Sequence, residues 1–387
     1  MNNLRIIFMG TPDFAVESLR RLVESGKNIV AVITMPDKAV GRHHDTLQAS
    51  PVKQYALEHG IPVLQPERLK DETFINELRA YKADLQVVVA FRMLPEVVWA
   101  MPPLGTFNLH AALLPQYRGA APINWAVING DTETGVTTFF LDHDIDTGRI
   151  IHRVSTPIAD TDTAGDIHDR LMDIGADLVV KTVEDIEAGN IETIDQKTLS
   201  PLPRQGESLA SLDSCAQQHP SITGGDGGGS LRPAPKIFKE TCEIRWDKHS
   251  VKSAYDFIRG LSPYPGAWTT LRLANGSENT LKIFFAEKEW SMFNGHVLLS
   301  EGEKWSMVNG HVLLSEGEKC SMVNGQCSMD ILTDGKTYIK MALPGGYLRI
   351  TSLQLAGKRR MSVEEFLRGN HLEGAQLVTT PAIDSTN

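Results

Sequence analysis

Short apolar runs alternate with amphipathic stretches along the first 155 residues. Arg5–Gly10 is an apolar run that predicts a strand, and Asp13–Ser25 follows with the 3.6-residue spacing of a helix. Asn28–Thr34 predicts a second strand. Ser50–Gly60 predicts a helix with Ser50 as N-cap, Pro51 at the first helical position and Gly60 as the C-cap glycine. Ile61–Leu64 reads as a short strand, Asp71–Tyr81 as a helix, and Asp84–Ala90 as a strand with no polar alternation. Strands that are apolar on both faces and interleaved with helices imply a parallel sheet covered on both sides. Such sheets bind ligands beyond the carboxyl ends of their strands, near the point where strand order reverses.

Thr106–His110 predicts a further strand, and its period of two puts Asn108 and His110 on one side. The small residues and prolines of Ala111–Ala121 predict an irregular loop before a helix at Pro122–Asn129. Gly135–Leu141 is a β-branched and aromatic strand that ends in Asp142-His143-Asp144-Ile145-Asp146-Thr147-Gly148; another strand opens at Arg149. Thr163–Ala188 predicts a long helix closing a first domain of residues 1–205. Residues 206–230 form a linker, flexible by composition, with Asp226-Gly227-Gly228-Gly229-Ser230 near its end. Residues 231–370 break into short strands with Gly, Asn and Pro turns, which predicts a small β-barrel, and 371–387 is a tail.

A repeat at 290–329 interrupts that barrel. Trp290–Lys304 recurs almost verbatim as Trp305–Lys319, and Cys320–Gly325 starts a third copy. Each copy carries Asn-Gly between apolar flanks, which predicts a hairpin. The insert is expected to lengthen one barrel hairpin and to be functionally silent.

Composition narrows the class. At 387 residues two domains are expected, and 41% hydrophobic with 22% charged residues is ordinary for globular chains. No apolar run approaches the ~20 residues that span a bilayer, and Met1–Ile6 lacks a signal-peptide core. A cytoplasmic, monomeric protein without a membrane partner is expected. The four cysteines show no C-x-x-C spacing, and no H-E-x-x-H or Cys/His zinc pattern occurs, so no bound metal is expected. The net charge of −10 is uneven: residues 1–205 carry 19 Lys/Arg against 28 Asp/Glu. Segments 232–288 (10 against 6) and 336–370 (7 against 2) are basic, while 289–335 (2 against 7) is acidic. A basic framework thus carries an acidic insert, and such a framework suits phosphates where its charges share a face.

The chemistry follows from what is present and missing. Gly10-Thr11-Pro12-Asp13 has one glycine where a dinucleotide fold needs three, and its proline removes an amide. A nicotinamide dehydrogenase is disfavoured. An amide and a protonated imidazole can both donate to a developing oxyanion, and a nearby carboxylate can take a proton through water. Asn108, His110 and a carboxylate of the 142–146 run therefore suit acyl transfer. Asp142 and Asp144 compete with Asp146, and spacing alone does not separate them. No G-x-S-x-G elbow occurs, so the nucleophile comes from the substrate.

Asn108-Leu109-His110-Ala111-Ala112-Leu113-Leu114-Pro115-Gln116-Tyr117-Arg118-Gly119 with Asp146-Thr147-Gly148 resembles the signature of the 10-formyltetrahydrofolate-dependent transformylases. Phe8–Ala15, Pro122–Ala126, Lys236–Glu240, Ile258–Pro265 and Leu353–Met361 are similar to the branch that formylates methionyl-tRNA. The resemblance covers about 4–205, 231–289 and 331–369. It implies an α/β fold, a Rossmann-like wound parallel sheet followed by a small C-terminal OB-like β-barrel. It also implies 10-formyltetrahydrofolate as co-substrate and the α-amino group of methionine on initiator methionyl-tRNA as acceptor. Asn108 and His110 would hold the formyl oxygen, and Asp146 would order the histidine and a water. Met93, Leu94, Ala112, Leu113, Leu114 and Pro115 would line the folate site; Ala112 stands where the family usually has serine. Phe14 would help form the methionine pocket. Met35–Ala49 would be the loop meeting the tRNA acceptor end through Arg42. Its His43-His44 replaces lysines of many relatives, so affinity should fall as histidine loses charge above about pH 6.5. Lys236, Lys239, Arg245, Lys248, Lys358, Arg359 and Arg360 would contact phosphates from the barrel.

Overall fold

The computed structural model describes residues 4–40, 46–199, 231–290, 292–293, 296–297, 321–323 and 326–379. The chain forms two compact units. One comprises Met1–Ile123, Asp131–Ala159 and Asp166–Lys236; the other comprises Asn124–Gly130, Asp160–Gly165 and Ile237–Asn387.

The first unit is built on β1 (Ile6–Gly10), α1 (Asp13–Glu24), β2 (Ile29–Ile33), α2 (Pro51–Glu58), β3 (Val63–Leu64), α3 (Glu72–Ala80), β4 (Leu85–Val89), α4 (Glu96–Trp99) and β5 (Thr106–His110). After α5 (Pro122–Ile128) come β6 (Glu133–Phe140), β7 (Ile150–Pro157) and α6 (Ala164–Ala188). The helix starts carry the capping chemistry their sequences advertise. Ser50 accepts from the Lys53 amide at 3.1 Å, with Pro51 opening α2. Asp71 accepts from the Thr73 and Phe74 amides at 2.9 and 3.2 Å, satisfying donors that have no partner within α3.

The seven strands lie in the order β7-β6-β5-β4-β1-β2-β3. β3, β2, β1, β4 and β5 run parallel, while β6 and β7 add antiparallel partners. Order reverses between β1 and β4, whose ten residues are all buried. That explains their unalternating apolar sequence: helices cover both faces. Two features are too short for periodicity to show. Lys38–Val40 pairs with Thr46–Gln48 in a small hairpin, and Arg118–Gly119, inside the expected irregular loop, pairs in parallel with Pro233–Ala234. Residues 41–45, and with them Arg42, His43 and His44, lie outside the described residues, as does the linker.

The second unit carries α7 (Val251–Gly260) and an antiparallel barrel-like sheet of β8 (Ala267–Arg272), β9 (Glu278–Trp290), β10 (Gln326–Asp330), β11 (Ile339–Leu343), β12 (Gly346–Leu355) and β13 (Gln376–Val378). Their order is β10-β13-β8-β9-β12-β11. Alternation is clear in β8, β11 and β12, whose inward residues surround Trp246, Ile283, Leu353 and Phe366. Trp246 is fully buried and its indole N–H donates to Thr269 at 2.9 Å. Removing so buried a ring costs about 3–5 kcal/mol. Asn124 joins this unit by donating to the Gly260 carbonyl at 2.8 Å, and Asp160 by pairing with Lys288 at 2.5 Å. Within the repeat, Met292–Phe293 pairs with His296–Val297, and Ser321–Val323 with β10. These strands flank the Asn-Gly pairs at 294–295 and 324–325, as the turn signal predicts; residues 298–320, with the middle copy, lie outside the described residues. Among the described residues no helix is long and apolar enough to cross a membrane.

Candidate active site

β5 ends at the carboxyl edge of the sheet, between β4 and the antiparallel β6. Its last residue, His110, is 6% exposed. The imidazole Nε2 lies 2.8 Å from the Tyr117 carbonyl oxygen. A carbonyl can only accept, so Nε2 carries the proton. The other nitrogen, Nδ1, faces the Asp146 carboxylate at 3.9 Å. That separation exceeds a hydrogen bond, so the two groups are joined only through whatever stands beside both. Neutral His110 presents a lone pair at Nδ1, and protonated His110 presents a donor there. Asn108, two residues back, is half-buried, and its side-chain amide has no hydrogen-bond partner among the described residues.

The rival carboxylates separate in space. Asp142 and Asp144 are exposed, and Asp142 accepts from the next amide at 2.6 Å. Asp146 instead turns inward with φ +55°, a left-handed conformation that Asp tolerates better than most residues. Its Oδ2 accepts from the Gly119 amide at 2.9 Å, which aims the carboxylate. Gly119 has φ +128°, and a Cβ there would collide with the Ala234 carbonyl, so the donor position requires glycine. Gly148 is required likewise, since a Cβ would overlap the Phe140 carbonyl.

Four residues without a local sequence signature hold this arrangement. Gln196, 2% exposed, donates to the Asp146 and Gly148 carbonyls at 2.9 and 2.8 Å and accepts from Arg118 at 2.6 Å. The Thr137 hydroxyl donates to the Ala112 carbonyl at 2.7 Å and accepts from the Leu114 amide at 3.2 Å. Arg153 donates to the Leu114 carbonyl at 3.1 Å. Arg232 meets Tyr117 and Asp131; hydrogen bonding to Tyr117 and the charge of Asp131 hold its guanidinium above the ordinary arginine value.

Of the expected folate-lining residues, Leu94, Ala112, Leu113, Leu114 and Pro115 are buried, and only Met93 exposes its side chain, at 73%. Arg92 ties the Met93 loop to the carbonyls of Pro66 and Glu67, and burial pushes its guanidinium below the ordinary arginine value. Val97 on α4 and Ile145 beside Asp146 are also exposed apolar groups. His143 joins their segments, 3.8 Å from Glu96 and edge-on to Trp99. An isolated isoleucine in the acidic 142–146 run was the available sequence signal. Phe14 is buried in α1 against the His168 ring, with centroids 5.3 Å apart.

In the second unit Lys239, Lys248, Lys358 and Arg359 are exposed, and Arg245 is half-buried 3.8 Å from Asp247. Lys236, also exposed, closes the first unit. Arg359 pairs with Glu365 at 3.1 Å. Arg360 lies over the rings of Phe284 and Phe285, 4.5 and 4.7 Å from their centroids, where a bulge in β9 turns Phe285 outward.

The formyl transferase family profile matches residues 4–183, and the formyl transferase C-terminal domain profile matches residues 236–371. A Bacteroides fragilis protein named methionyl-tRNA formyltransferase is 52% identical over 373 residues, covering 96% of this chain and 97% of that protein. Two solved structures share the fold. WlaRD, a sugar 3N-formyl transferase in the presence of dTDP and 5-N-formyl-THF, gives a TM-score of 0.53 at 16% identity, over 93% of this chain and all of that one. HypX from Aquifex aeolicus, in complex with tetrahydrofolic acid, gives 0.53 at 15% identity; 95% of this chain covers 47% of HypX, about half its length.

Proposed function

The chain belongs to the formyl transferase family, and on that premise we propose that it moves a formyl group from 10-formyltetrahydrofolate to the α-amino group of methionine on initiator methionyl-tRNA. The observation that carries the reading is the commitment of His110 Nε2 to a carbonyl, which leaves Nδ1 opposite Asp146 for chemistry. The folate supplies the formyl group. The Asn108 amide and a proton on His110 Nδ1 donate to the formyl oxygen as negative charge builds on it. Asp146 takes the proton that leaves the amine, directly or through a water, as the new N–C bond forms; collapse of the oxyanion then breaks the formyl C–N10 bond, and the proton passes to N10 of the departing tetrahydrofolate. The amine attacks when neutral, which is accessible near its ordinary value of ~7.7–8.0. Met93, Val97 and Ile145 would cover the flat ring system of the folate, and the backbone around Ala112–Pro115 would border it. The exposed Lys239, Lys248, Lys358 and Arg359 would meet tRNA phosphates, with Lys236, Arg245 and Arg42 as further candidates.

The test is formylation of methionyl-tRNA with 10-formyltetrahydrofolate, run beside glycinamide ribonucleotide and an amino-sugar nucleotide as acceptors. The expected result is turnover on methionyl-tRNA alone, reduced about 10²–10³-fold by His110→Ala, the cost of one oxyanion donor. Turnover on a small amine instead, or unchanged turnover in the variant, would overturn the reading.

A further inference from the structure

We propose that Arg232 is a positioning residue for His110, acting through Tyr117 to fix which imidazole nitrogen faces the reaction. The inference rests on the reading of His110 given above. Tyr117 is the residue whose carbonyl takes the Nε2 proton, and it is held in a left-handed conformation, φ +59°. That conformation is unfavourable for a residue with a large side chain and persists only where its surroundings impose it. Arg232 imposes it from both its backbone and its side chain. Its carbonyl accepts from the Tyr117 amide at 2.7 Å, and its amide donates to the Gln116 side chain at 2.8 Å. Its guanidinium donates to the Tyr117 hydroxyl at 3.1 Å and to Asp131 at 2.5 Å, while that hydroxyl donates to the other Asp131 oxygen at 2.5 Å. Tyr117 is thus gripped at its amide and at the far end of its ring, leaving the carbonyl directed at His110.

The same short strand reaches the carboxylate. Pro233–Ala234 pairs with Arg118–Gly119, and the Ala234 carbonyl accepts from the Ala120 amide at 2.7 Å. The Gly119 amide between these contacts aims Asp146. Residues 232–234 therefore support both sides of the 3.9 Å gap between Nδ1 and the carboxylate. Without the grip, Tyr117 can relax to an ordinary φ, and Nε2 loses its acceptor. The imidazole then populates the tautomer that places hydrogen on Nδ1 and a lone pair on Nε2. In that form the Nδ1 hydrogen is carried by a neutral imidazole, a weaker donor to the formyl oxygen than the imidazolium whose Nε2–H the Tyr117 carbonyl holds.

The experiment compares wild type, Arg232→Ala, Arg232→Lys and Tyr117→Phe as full chains labelled with 15N-histidine. The His110 signals are assigned by their loss in His110→Ala. Wild type is expected to hold one neutral tautomer with the proton on Nε2. Arg232→Ala should give mixed tautomers and a kcat lowered about tenfold, ~1.4 kcal/mol, with the KM for methionyl-tRNA changed less than twofold. Arg232→Lys should fall between, because one ammonium cannot reproduce the guanidinium fork. A single Nε2–H tautomer with wild-type kcat in Arg232→Ala would overturn the proposal. If Arg232→Ala does not fold, Tyr117→Phe, which removes only a hydroxyl, decides in the same terms. The tautomer readout needs no substrate. Wild type inactive on methionyl-tRNA would therefore sink the functional reading while the positioning claim is still decided by the spectra.

Discussion

The two units treat polar side chains in opposite ways. In the first, the groups proposed for chemistry are tied into place by hydrogen bonds of fixed length: His110 to Tyr117, Asp146 to Gly119, and Gln196 to two carbonyls. In the second, the proposed phosphate contacts are exposed cations with few ties, such as Lys248 and Lys358. Formyl transfer needs donors within tenths of an ångström of the developing charge. Attraction to phosphates acts over a Debye length, near 8 Å at physiological salt, and adds up from many sources. On the proposed reading, one unit concentrates function in a few irreplaceable atoms, and the other spreads it over replaceable ones.

The contrast can be broken most easily at Gln196. It touches no proposed substrate, yet Gln196→Ala leaves the Asp146 and Gly148 carbonyls and Arg118 without their partner. Unfolding should become easier by about 1–3 kcal/mol, and kcat should fall roughly tenfold as Asp146 loses its register. Denaturant melts and steady-state kinetics check both; an unchanged kcat would mean that the Asp146 turn holds itself. The second unit should respond differently. Lys239→Ala combined with Lys358→Ala should leave kcat at saturating tRNA unchanged and weaken binding at low salt. The slope of log affinity against log salt should drop by about 0.7–0.9 per cation removed. A change in kcat with no change in slope would place these lysines in the chemistry instead.

A smaller effect separates the two charge patterns by pH. Hydrogen bonds from Lys53 and then Gln65 hold Asp37 below the ordinary carboxylate value. Arg20 and Arg21 do so for Glu17, and Lys181 and His152 for Asp185. Each carboxyl binds its proton less tightly in the folded chain than in the unfolded one. Its contribution is full above about pH 4 and is lost as pH falls through the lower folded value. The Tm should therefore decline below pH ~4, and Asp37→Asn should make that decline shallower. A Tm in acid that Asp37→Asn leaves unaltered would count against the Lys53–Asp37–Gln65 cluster.

Much of the first unit was legible because its signals are local. β5 spans Thr106–His110, as its alternation predicts, and α2 opens at Pro51 behind Ser50. Asn108 and His110 could be found from one strand. Asp146 could not be told from Asp144 by spacing, because the choice depends on a left-handed turn and a glycine amide 27 residues away. Gln196 and Arg232 were invisible for the same reason at larger range: each acts on a loop at least 48 residues distant. Thr137 reads as an ordinary β-branched strand residue until its hydroxyl is seen between Ala112 and Leu114. In the barrel, the basic run at 358–360 marks Arg360 only as a phosphate contact. The bulge that sets it over Phe284 and Phe285 leaves no mark on the period of the strand.

Asp146, turned inward onto the Gly119 amide, differs from exposed Asp144 two residues away in the way the proposed transfer requires. Single-turnover formylation of methionyl-tRNA by Asp146→Asn and Asp144→Asn, side by side at saturating folate, measures that difference directly. Asp146→Asn should be slower than wild type by about 10²-fold or more, the scale of a lost proton acceptor, and Asp144→Asn should lie within twofold. Equal rates for the two variants, or the larger loss at Asp144, would contradict the account.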